Sequence, residues 1–325
     1  MIFPKFIKKN DVIGICALSA GVGHKIDDYE ISLDILKSEG YKIKEEGQVR
    51  VDSPRPSSAK ERSKALKALF KDDEVDMIMC AAGGDFLYEV LPYVDIKSNK
   101  ENPKWFMGAS DPTSICFMIT TKLDIASLYG FNGGSFEEGY LDVQNNLSIL
   151  KGKLVKQKSY DYYEDKEGFL SDFRKFDHEV YWDSYGKKIK TSGRCIGGCL
   201  DVLKDMIGTS YEDVKGFVNR YKDDGIIWYF DIFAMTSENV YRTLLQMKSA
   251  GWFKHTKAVL FGRVLFDSSD TGMTYKEAYE MALGEYDLVM DMDIGHTSPR
   301  MTLINGAIIN IESKDGKGSI NFELK

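Results

Sequence analysis

The sequence lacks several features that would assign it to a particular class of protein. Its 325 residues contain no uninterrupted apolar run near the roughly 20 residues of a membrane-spanning helix. The first residues lack the long apolar region of a secretory signal peptide. Lysine and arginine total 43 against 50 acidic residues, so the net charge is −7 and no basic surface for nucleic acid is indicated. We therefore expect a soluble, cytoplasmic protein that binds neither membranes nor nucleic acid.

Cysteine and histidine are also scarce. The five cysteines are odd in number and lie mostly in apolar runs, which predicts buried thiols in a reducing compartment. Cys195 and Cys199 have a spacing that zinc can use, but no second Cys or His pair lies near them. The glycine pair at Gly83 and Gly84 lacks the Gly-Lys-Thr/Ser ending of a phosphate loop. We predict no metal and no cofactor.

Apolar runs alternate with helical patterns through about the first 150 residues. A helical pattern over residues 27–39 ends at Gly40, and Ser58 with Glu61 forms a capping box that opens a second helix. A further helix is predicted around residues 87–91. This alternation predicts an α/β domain with a parallel sheet and helices on both faces. The strand-like runs lie at residues 12–18, 41–44, 75–80, 105–107 and 125–129.

The regular alternation of apolar runs and helical patterns ends after about residue 150. Residues 307–311 and 319–324 alternate in polarity like the strands of a hairpin, which predicts a second, mixed α/β domain. We expect an N-terminal α/β domain over residues 1–155, a linker or surface excursion over 156–190, and a C-terminal mixed domain over 191–325.

A serine lies where a predicted strand turns into a predicted helix, in Gly-Ala-Ser-Asp-Pro-Thr at residues 108–113. Ser110 is thus predicted at a helix N-terminus, where backbone N–H groups can hold a developing negative charge. The alternative is that Ser110 caps the helix that begins near Pro112.

Three other blocks accompany this serine motif. They are Gly-Gly-Asp at 83–85, Gly-Gly-Cys-Leu at 197–200 with Gly-Thr at 208–209, and Gly-His-Thr-Ser-Pro at 295–299. Together, in this order and spacing, the blocks resemble the LD-carboxypeptidase family of serine peptidases, which includes the microcin C immunity proteins. The resemblance implies an N-terminal α/β domain with the nucleophile, a C-terminal mixed domain with the acid and the histidine, and an active site between them.

By position, the resemblance assigns the catalytic triad to Ser110, Asp231 and His296. In such a triad the histidine takes the serine proton and the acid orients the imidazole. The family acid is glutamate, whereas this chain has the shorter aspartate, and Glu238 is an alternative acid seven residues later. Residues 129–131 are Tyr-Gly-Phe where the family has His-Gly-Pro.

The resemblance also implies an oxyanion hole formed by the backbone N–H groups of Gly84 and Asp111, and a substrate-binding role for Gly83 and Asp85. Trp182 is predicted either to stack on a planar group of the substrate, as an aromatic residue does in the microcin-related branch, or to lie in the core. Arg263 and Arg300 either grip a substrate carboxylate or lie on the surface.

These assignments predict a serine peptidase or amidase that hydrolyses a small peptide or peptide conjugate. A cell-wall peptide with a D-residue suits the carboxypeptidase branch, and a peptidyl nucleotide suits the immunity branch, which the motifs favour. We further expect a homodimer. The alternative function, suggested by aspartate in place of glutamate at residue 231, is a non-catalytic protein that binds a small ligand.

Overall fold

The computed structural model describes residues 1–137, 139–171 and 174–325, which form two compact units. Unit 1 comprises residues 1–153 together with 302–305, and unit 2 comprises 154–301 together with 306–325. The segment 156–190, predicted as a linker or excursion, therefore belongs to unit 2. The chain also returns to unit 1 for one short strand near its end.

The chain forms 15 strands and nine α-helices within the described ranges. The strands are β1 (Val12–Cys16), β2 (Lys42–Glu46), β3 (Val75–Cys80), β4 (Trp105–Gly108), β5 (Ser127–Tyr129), β6 (Gln157–Lys158), β7 (Tyr162–Tyr163), β8 (His178–Glu179), β9 (Ile189–Cys199), β10 (Ile226–Asp231), β11 (Thr256–Gly262), β12 (Asp287–Met292), β13 (Leu303–Asn305), β14 (Ile308–Lys314) and β15 (Lys317–Glu323). The helices are α1 (Ile26–Ser38), α2 (Ala59–Lys71), α3 (Thr113–Leu123), α4 (Leu141–Leu150), α5 (Lys166–Phe169), α6 (Leu200–Leu203), α7 (Val214–Arg220), α8 (Ser237–Ser249) and α9 (Tyr275–Leu283). In these parts of the chain, no helix combines the length and apolar character needed to cross a bilayer.

Unit 1 is built on a six-stranded sheet in the order β13-β5-β4-β3-β1-β2. All neighbouring pairs are parallel except β13, which runs antiparallel to β5. This confirms the parallel α/β prediction. Because parallel strands end at one edge of a sheet, the segments that follow β3 and β4 emerge side by side. Gly83 follows the first of these strands and Ser110 follows the second.

Local signals in unit 1 mark helix boundaries well. Helix α2 begins at the predicted Ser58–Glu61 capping box, with both reciprocal hydrogen bonds present. Helix α1 ends just before Gly40, whose φ of +95° suits glycine. The helix predicted around residues 87–91 is instead a 3₁₀ segment over Tyr88–Tyr93 that contains Pro92. Proline has no N–H to donate, so it disfavours a continuing α-helix there.

Unit 2 is built on a seven-stranded mixed sheet in the order β12-β11-β10-β9-β14-β15-β6. The strands β9 to β12 are parallel, whereas β14, β15 and β6 pair antiparallel, as the predicted mixed domain and C-terminal hairpin require. Strand β10 is fully buried along its length and ends on Asp231. Strand β10 thus places the Asp231 side chain at the edge of the sheet where the parallel strands end.

Candidate active site

Ser110 occupies a strained turn between β4 and α3. Its φ is +65°, which is uncommon for a residue other than glycine and costs about 1–3 kcal/mol, so it persists only where the surroundings enforce it. The N-cap of α3 is Pro112, and no side chain makes a capping hydrogen bond there. The alternative that Ser110 caps the helix is therefore wrong. The half-buried Ser110 hydroxyl is therefore not used to cap α3.

The end of β5 holds this turn in place. The Tyr129 hydroxyl accepts a hydrogen bond from the Ser110 N–H at 3.2 Å. The Asn132 side-chain amide contacts Ala109 twice, accepting from its N–H at 3.0 Å and donating to its carbonyl at 3.3 Å. Neither side chain was predicted from the sequence as part of the site. The only signal was the difference at residues 129–131, where tyrosine stands in the position of the family's histidine.

We predict that Tyr129→Phe lowers kcat/KM about tenfold. Tyr129 is 1% exposed, so the variant leaves the Ser110 N–H without its acceptor at a strained position. Loss of a hydrogen bond of this kind costs about 0.5–1.5 kcal/mol. Steady-state kinetics and thermal unfolding measure both effects. Tyr41→Phe is the control, since Tyr41 is 4% exposed and does not contact the turn by any hydrogen bond of the described residues. Equal kcat/KM in the two variants would contradict the role of Tyr129 in holding the Ser110 turn.

The loop after β3 approaches the serine closely. A Cβ atom at Gly83 would lie 3.0 Å from the Cβ atom and 3.3 Å from the Oγ atom of Ser110. Gly84 has a φ of +138°, and a Cβ atom there would lie 2.5 Å from Ser19 Oγ. Among the described residues, the backbone N–H groups of Gly84 and Asp111 donate to no acceptor. The local structure therefore suits the predicted pair of oxyanion donors.

The Asp111 side chain ties this loop to the serine turn. One carboxylate oxygen accepts a hydrogen bond from Ser19 Oγ at 2.5 Å and another from the Leu87 N–H at 2.8 Å. Burial raises the pKa of Asp111, the two hydrogen bonds oppose this effect, and the nearby charge of Asp85 adds to it. Asp85 itself is exposed. Ser19 was not predicted from the sequence. By bonding Asp111 and lying against Gly84, it helps to fix the positions of the two predicted oxyanion donors.

Unit 2 brings Asp231 and His296 together. Asp231 is fully buried, and one of its carboxylate oxygens, Oδ2, lies 2.8 Å from Nδ1 of His296, whose side chain is 13% exposed. The imidazole is not aligned for a linear hydrogen bond, as is common for catalytic contacts in free enzymes. The ring of Phe233 packs on the imidazole with a centroid separation of 4.7 Å. With Nδ1 facing the acid, Nε2 is the nitrogen left for proton transfer.

Gly295 explains how the shorter acid reaches the histidine. Its φ is +104°, and a Cβ atom at this position would lie only 1.9 Å from Oδ1 of Asp231. The loop backbone therefore rests directly on the carboxylate, which a side chain would prevent. With the loop in this position, the aspartate lies within 2.8 Å of the histidine.

Glu238, the alternative acid, is engaged elsewhere. Its carboxylate accepts hydrogen bonds from the side chain of Ser269, the backbone N–H of Asp270, and both the hydroxyl and the N–H of Thr271. Hydrogen bonds from the Thr271 and Ser269 side chains lower the pKa of Glu238 well below its ordinary value. Glu238 thus stabilises the loop at residues 269–271, and Asp231 is the acid beside His296.

Both halves of the sequence match domains of one family. Residues 13–130 match the LD-carboxypeptidase N-terminal domain, and residues 192–311 match the LD-carboxypeptidase C-terminal domain. The chain belongs to the LD-carboxypeptidase family. Family membership supports a peptide-hydrolysing role.

Relatives within the LD-carboxypeptidase family span nearly the whole chain. A Vibrio cholerae protein with the provisional name of a carboxypeptidase is 24% identical, covering 99% of this chain and 96% of its own length. The microcin C7 self-immunity protein MccF of Escherichia coli is 25% identical over 86% of this chain and 84% of its own. MccF solved with aspartyl sulfamoyl adenosine superposes with a TM-score of 0.83 at 21% identity, covering 100% of both chains. A muramoyltetrapeptide carboxypeptidase from Oxalobacter formigenes gives a TM-score of 0.76 at 20% identity, covering 96% of this chain and 98% of its own.

Trp182 lies in the core of this LD-carboxypeptidase family member. The side chain is 0% exposed, and its Nε1 donates a hydrogen bond to Asp293 at 2.9 Å. The predicted stacking role is thus replaced by the other interpretation, a core tryptophan. Arg263 is neither a surface residue nor open to a substrate, because it is 5% exposed and pairs with Asp293. Arg300 is half-buried and donates to Ser298.

The cysteines lie in the interior of the two units. All five are free thiols and buried, and burial raises the pKa of Cys195 and Cys199 above the ordinary value. Within residues 1–137, 139–171 and 174–325, no group of three His, Cys, Asp or Glu side chains is arranged to hold a metal ion.

Proposed function

We propose that this LD-carboxypeptidase family member is a serine peptidase or amidase whose triad is Ser110, His296 and Asp231. The observation that carries the proposal is the 2.8 Å contact between the buried Asp231 carboxylate and His296 Nδ1. A carboxylate in this position holds the imidazole in the tautomer that accepts a proton at Nε2. The strained, uncapped Ser110 supports the proposal from unit 1.

The proposed reaction is acyl transfer to serine and then to water. The Ser110 oxygen forms a bond to the amide carbonyl carbon while its proton passes to His296 Nε2. The carbonyl oxygen becomes an oxyanion, which the N–H groups of Gly84 and Asp111 stabilise. The C–N bond then breaks, His296 returns the proton to the leaving nitrogen, and an ester remains on Ser110. Water, deprotonated by His296, then attacks the ester carbonyl, the bond to the Ser110 oxygen breaks, and His296 returns the proton to Ser110 as the acid is released.

For the substrate, we propose a peptidyl or aminoacyl nucleotide rather than a cell-wall peptide with a D-residue. The support comes from MccF, which aligns over the full chain and was solved with aspartyl sulfamoyl adenosine.

We also propose that the protein is cytoplasmic and forms a homodimer. Light scattering is then expected to give twice the 36.8 kDa mass of the chain, and a value near one chain mass would contradict the dimer.

Labelling with a fluorophosphonate tests the nucleophile. We expect one covalent adduct on Ser110, mapped by mass spectrometry, and none in Ser110→Ala. Ser114→Ala is the matched control, because Ser114 is a buried helix serine whose hydroxyl donates to the Asp111 carbonyl. This control should label at the wild-type rate. An unlabelled Ser110 in folded wild-type protein would overturn the assignment of the nucleophile.

Hydrolysis of defined substrates tests the substrate class. Aspartyl sulfamoyl adenosine and a cell-wall tetrapeptide ending in a D-residue are each incubated with wild type and Ser110→Ala, and released products are separated by chromatography. We expect cleavage of the acylated nucleoside by wild type alone. Faster cleavage of the tetrapeptide would assign the chain to the carboxypeptidase branch.

The second candidate, a non-catalytic binding protein, rests on aspartate in place of the family glutamate at residue 231. This argument for a binding protein is weak, because Asp231 lies 2.8 Å from His296 although it is shorter than glutamate, and the loop at Gly295 packs closely on its carboxylate. Calorimetric binding of both compounds without turnover or labelling would favour the binding protein.

A further inference from the structure

A buried guanidinium lies next to the loop that carries His296. Arg263 follows β11 and is 5% exposed. Its Nη2 donates to an Asp293 carboxylate oxygen at 2.6 Å, its Nε donates to Thr297 Oγ1 at 3.2 Å, and its Nη1 donates to the Asp291 carbonyl at 3.0 Å. All three acceptors belong to residues 291–297, so a single side chain holds this segment on both sides of His296.

Asp293 extends the same network. It is 0% exposed, and its second carboxylate oxygen accepts hydrogen bonds from Trp182 Nε1 at 2.9 Å and from the Tyr160 N–H at 3.2 Å. Its carbonyl accepts a hydrogen bond from the Met301 N–H at 2.7 Å, which closes the loop at residues 293–301. The loop is thus anchored at its base to the segment that contains Tyr160 and Trp182.

A buried ion pair of this kind is weak evidence for stability. Removing two charges from water costs several kcal/mol per ion, and apolar replacements of buried pairs are often neutral or stabilising. The network does, however, act on a place where geometry is critical. The loop backbone at Gly295 rests on the Asp231 carboxylate, and His296 lies 2.8 Å from the same group. A small displacement of the loop would separate the imidazole from its acid.

We infer that Arg263 is a positioning residue, which acts through Thr297 and Asp293 to hold His296 against Asp231. The inference rests on the proposed function. A lysine cannot replace this arginine, because a single ammonium lacks the planar fork that reaches three acceptors in different directions. Arg263 therefore affects the chemical step, although it contacts neither the imidazole nor the carboxylate of Asp231 by any hydrogen bond of the described residues.

Unit 2 contains a matched control in Arg194. It is 4% exposed, pairs with Asp224, donates to the carbonyls of Gly306 and Lys325, and lies 4.1 Å from the centroid of the Tyr221 ring. Arg263 has the same kinds of partner, including an aromatic ring, Tyr163, at 4.3 Å. Arg194, however, pairs with Ile226 at the beginning of β10, the opposite end of that strand from Asp231.

The test compares Arg263→Lys with Arg194→Lys in the full-length chain. We expect both variants to lose thermal stability to a similar extent. Arg263→Lys should lower kcat and the fluorophosphonate labelling rate of Ser110 by about 10- to 100-fold, with KM within about twofold of wild type. Arg194→Lys should leave all three within about twofold. Equal kinetic losses in the two variants would mean a merely structural role and would overturn the inference.

A second pair of variants keeps the test decisive if Arg263→Lys does not fold. Thr297→Val removes the hydroxyl that accepts from Arg263 but preserves shape, whereas Thr297→Ser retains the hydroxyl. We expect a loss of kcat of about tenfold in the valine variant and near-normal kcat in the serine variant. Equal kcat in the two variants would count against the inference. Absence of labelling and hydrolysis in wild type would instead refute the proposed function, so the two failures are distinguishable.

Discussion

Asp231→Asn is expected to lower kcat by about 10⁴-fold without unfolding the protein. The asparagine amide has nearly the shape of the carboxylate but no charge to stabilise an imidazolium. Its NH₂ group can also donate to Nδ1, which would place the proton of His296 on Nε2, the nitrogen that must accept it from serine. The measurement is kcat for the hydrolysed substrate, normalised to the fraction of folded protein from circular dichroism.

Asp224→Asn is the control for removing a carboxylate from an ion pair in the same unit. Asp224 pairs with Arg194 at the other end of the parallel strands, so its variant should lose stability but little kcat. Asp231→Glu adds a second comparison. The loop backbone at Gly295 already rests on the Asp231 carboxylate, so we expect a longer acid to displace the loop and to be less active than wild type. Full activity of Asp231→Asn would exclude the proposed role of the acid.

Gly295→Ala should lower kcat/KM by at least about 100-fold. The new methyl group would lie 1.9 Å from the Asp231 carboxylate oxygen, a distance that no pair of non-bonded atoms tolerates. Either the loop with His296 or the acid must move, and both movements separate the pair. The added strain at a φ of +104° should also lower the melting temperature. Steady-state kinetics and thermal unfolding measure the two effects.

Gly186→Ala isolates the effect of backbone strain. Gly186 also has a positive φ, +74°, but no atom lies within 4 Å of the position that its Cβ would occupy. This control should lose stability through strain alone and keep its kcat/KM. If Gly295→Ala lost no more activity than Gly186→Ala, the contact between the loop and Asp231 would have no catalytic importance.

Patterns with a local physical cause were predictable from the sequence. The alternation of apolar runs and helical patterns indicated the parallel sheet of unit 1, and the alternating tail indicated the hairpin of unit 2. The Ser58–Glu61 capping box involves residues three apart. The failure at residues 87–91 is local as well, since the apolar spacing suited a helix but Pro92 did not.

The partners of the candidate site residues were not predictable in this way. Tyr129 is 19 residues from Ser110, and Ser19 is 92 residues from Asp111, so no local spacing connects them. The resemblance assigned the acid to Asp231, with Glu238 as the alternative. The packing of distant loops then shows that Asp231 lies beside the histidine and that Glu238 binds another loop.

The sequence by itself determined the fold class, the family and the positions where a nucleophile, an acid and a base are expected, because these depend on short-range periodicity and on motifs contiguous in the chain. Only the tertiary structure decided that Trp182 and Arg263 are buried partners of Asp293 and that an aspartate reaches His296. Burial and close approach depend on which distant segments pack together, and in this protein the backbone of Gly295 packs directly against the carboxylate of Asp231.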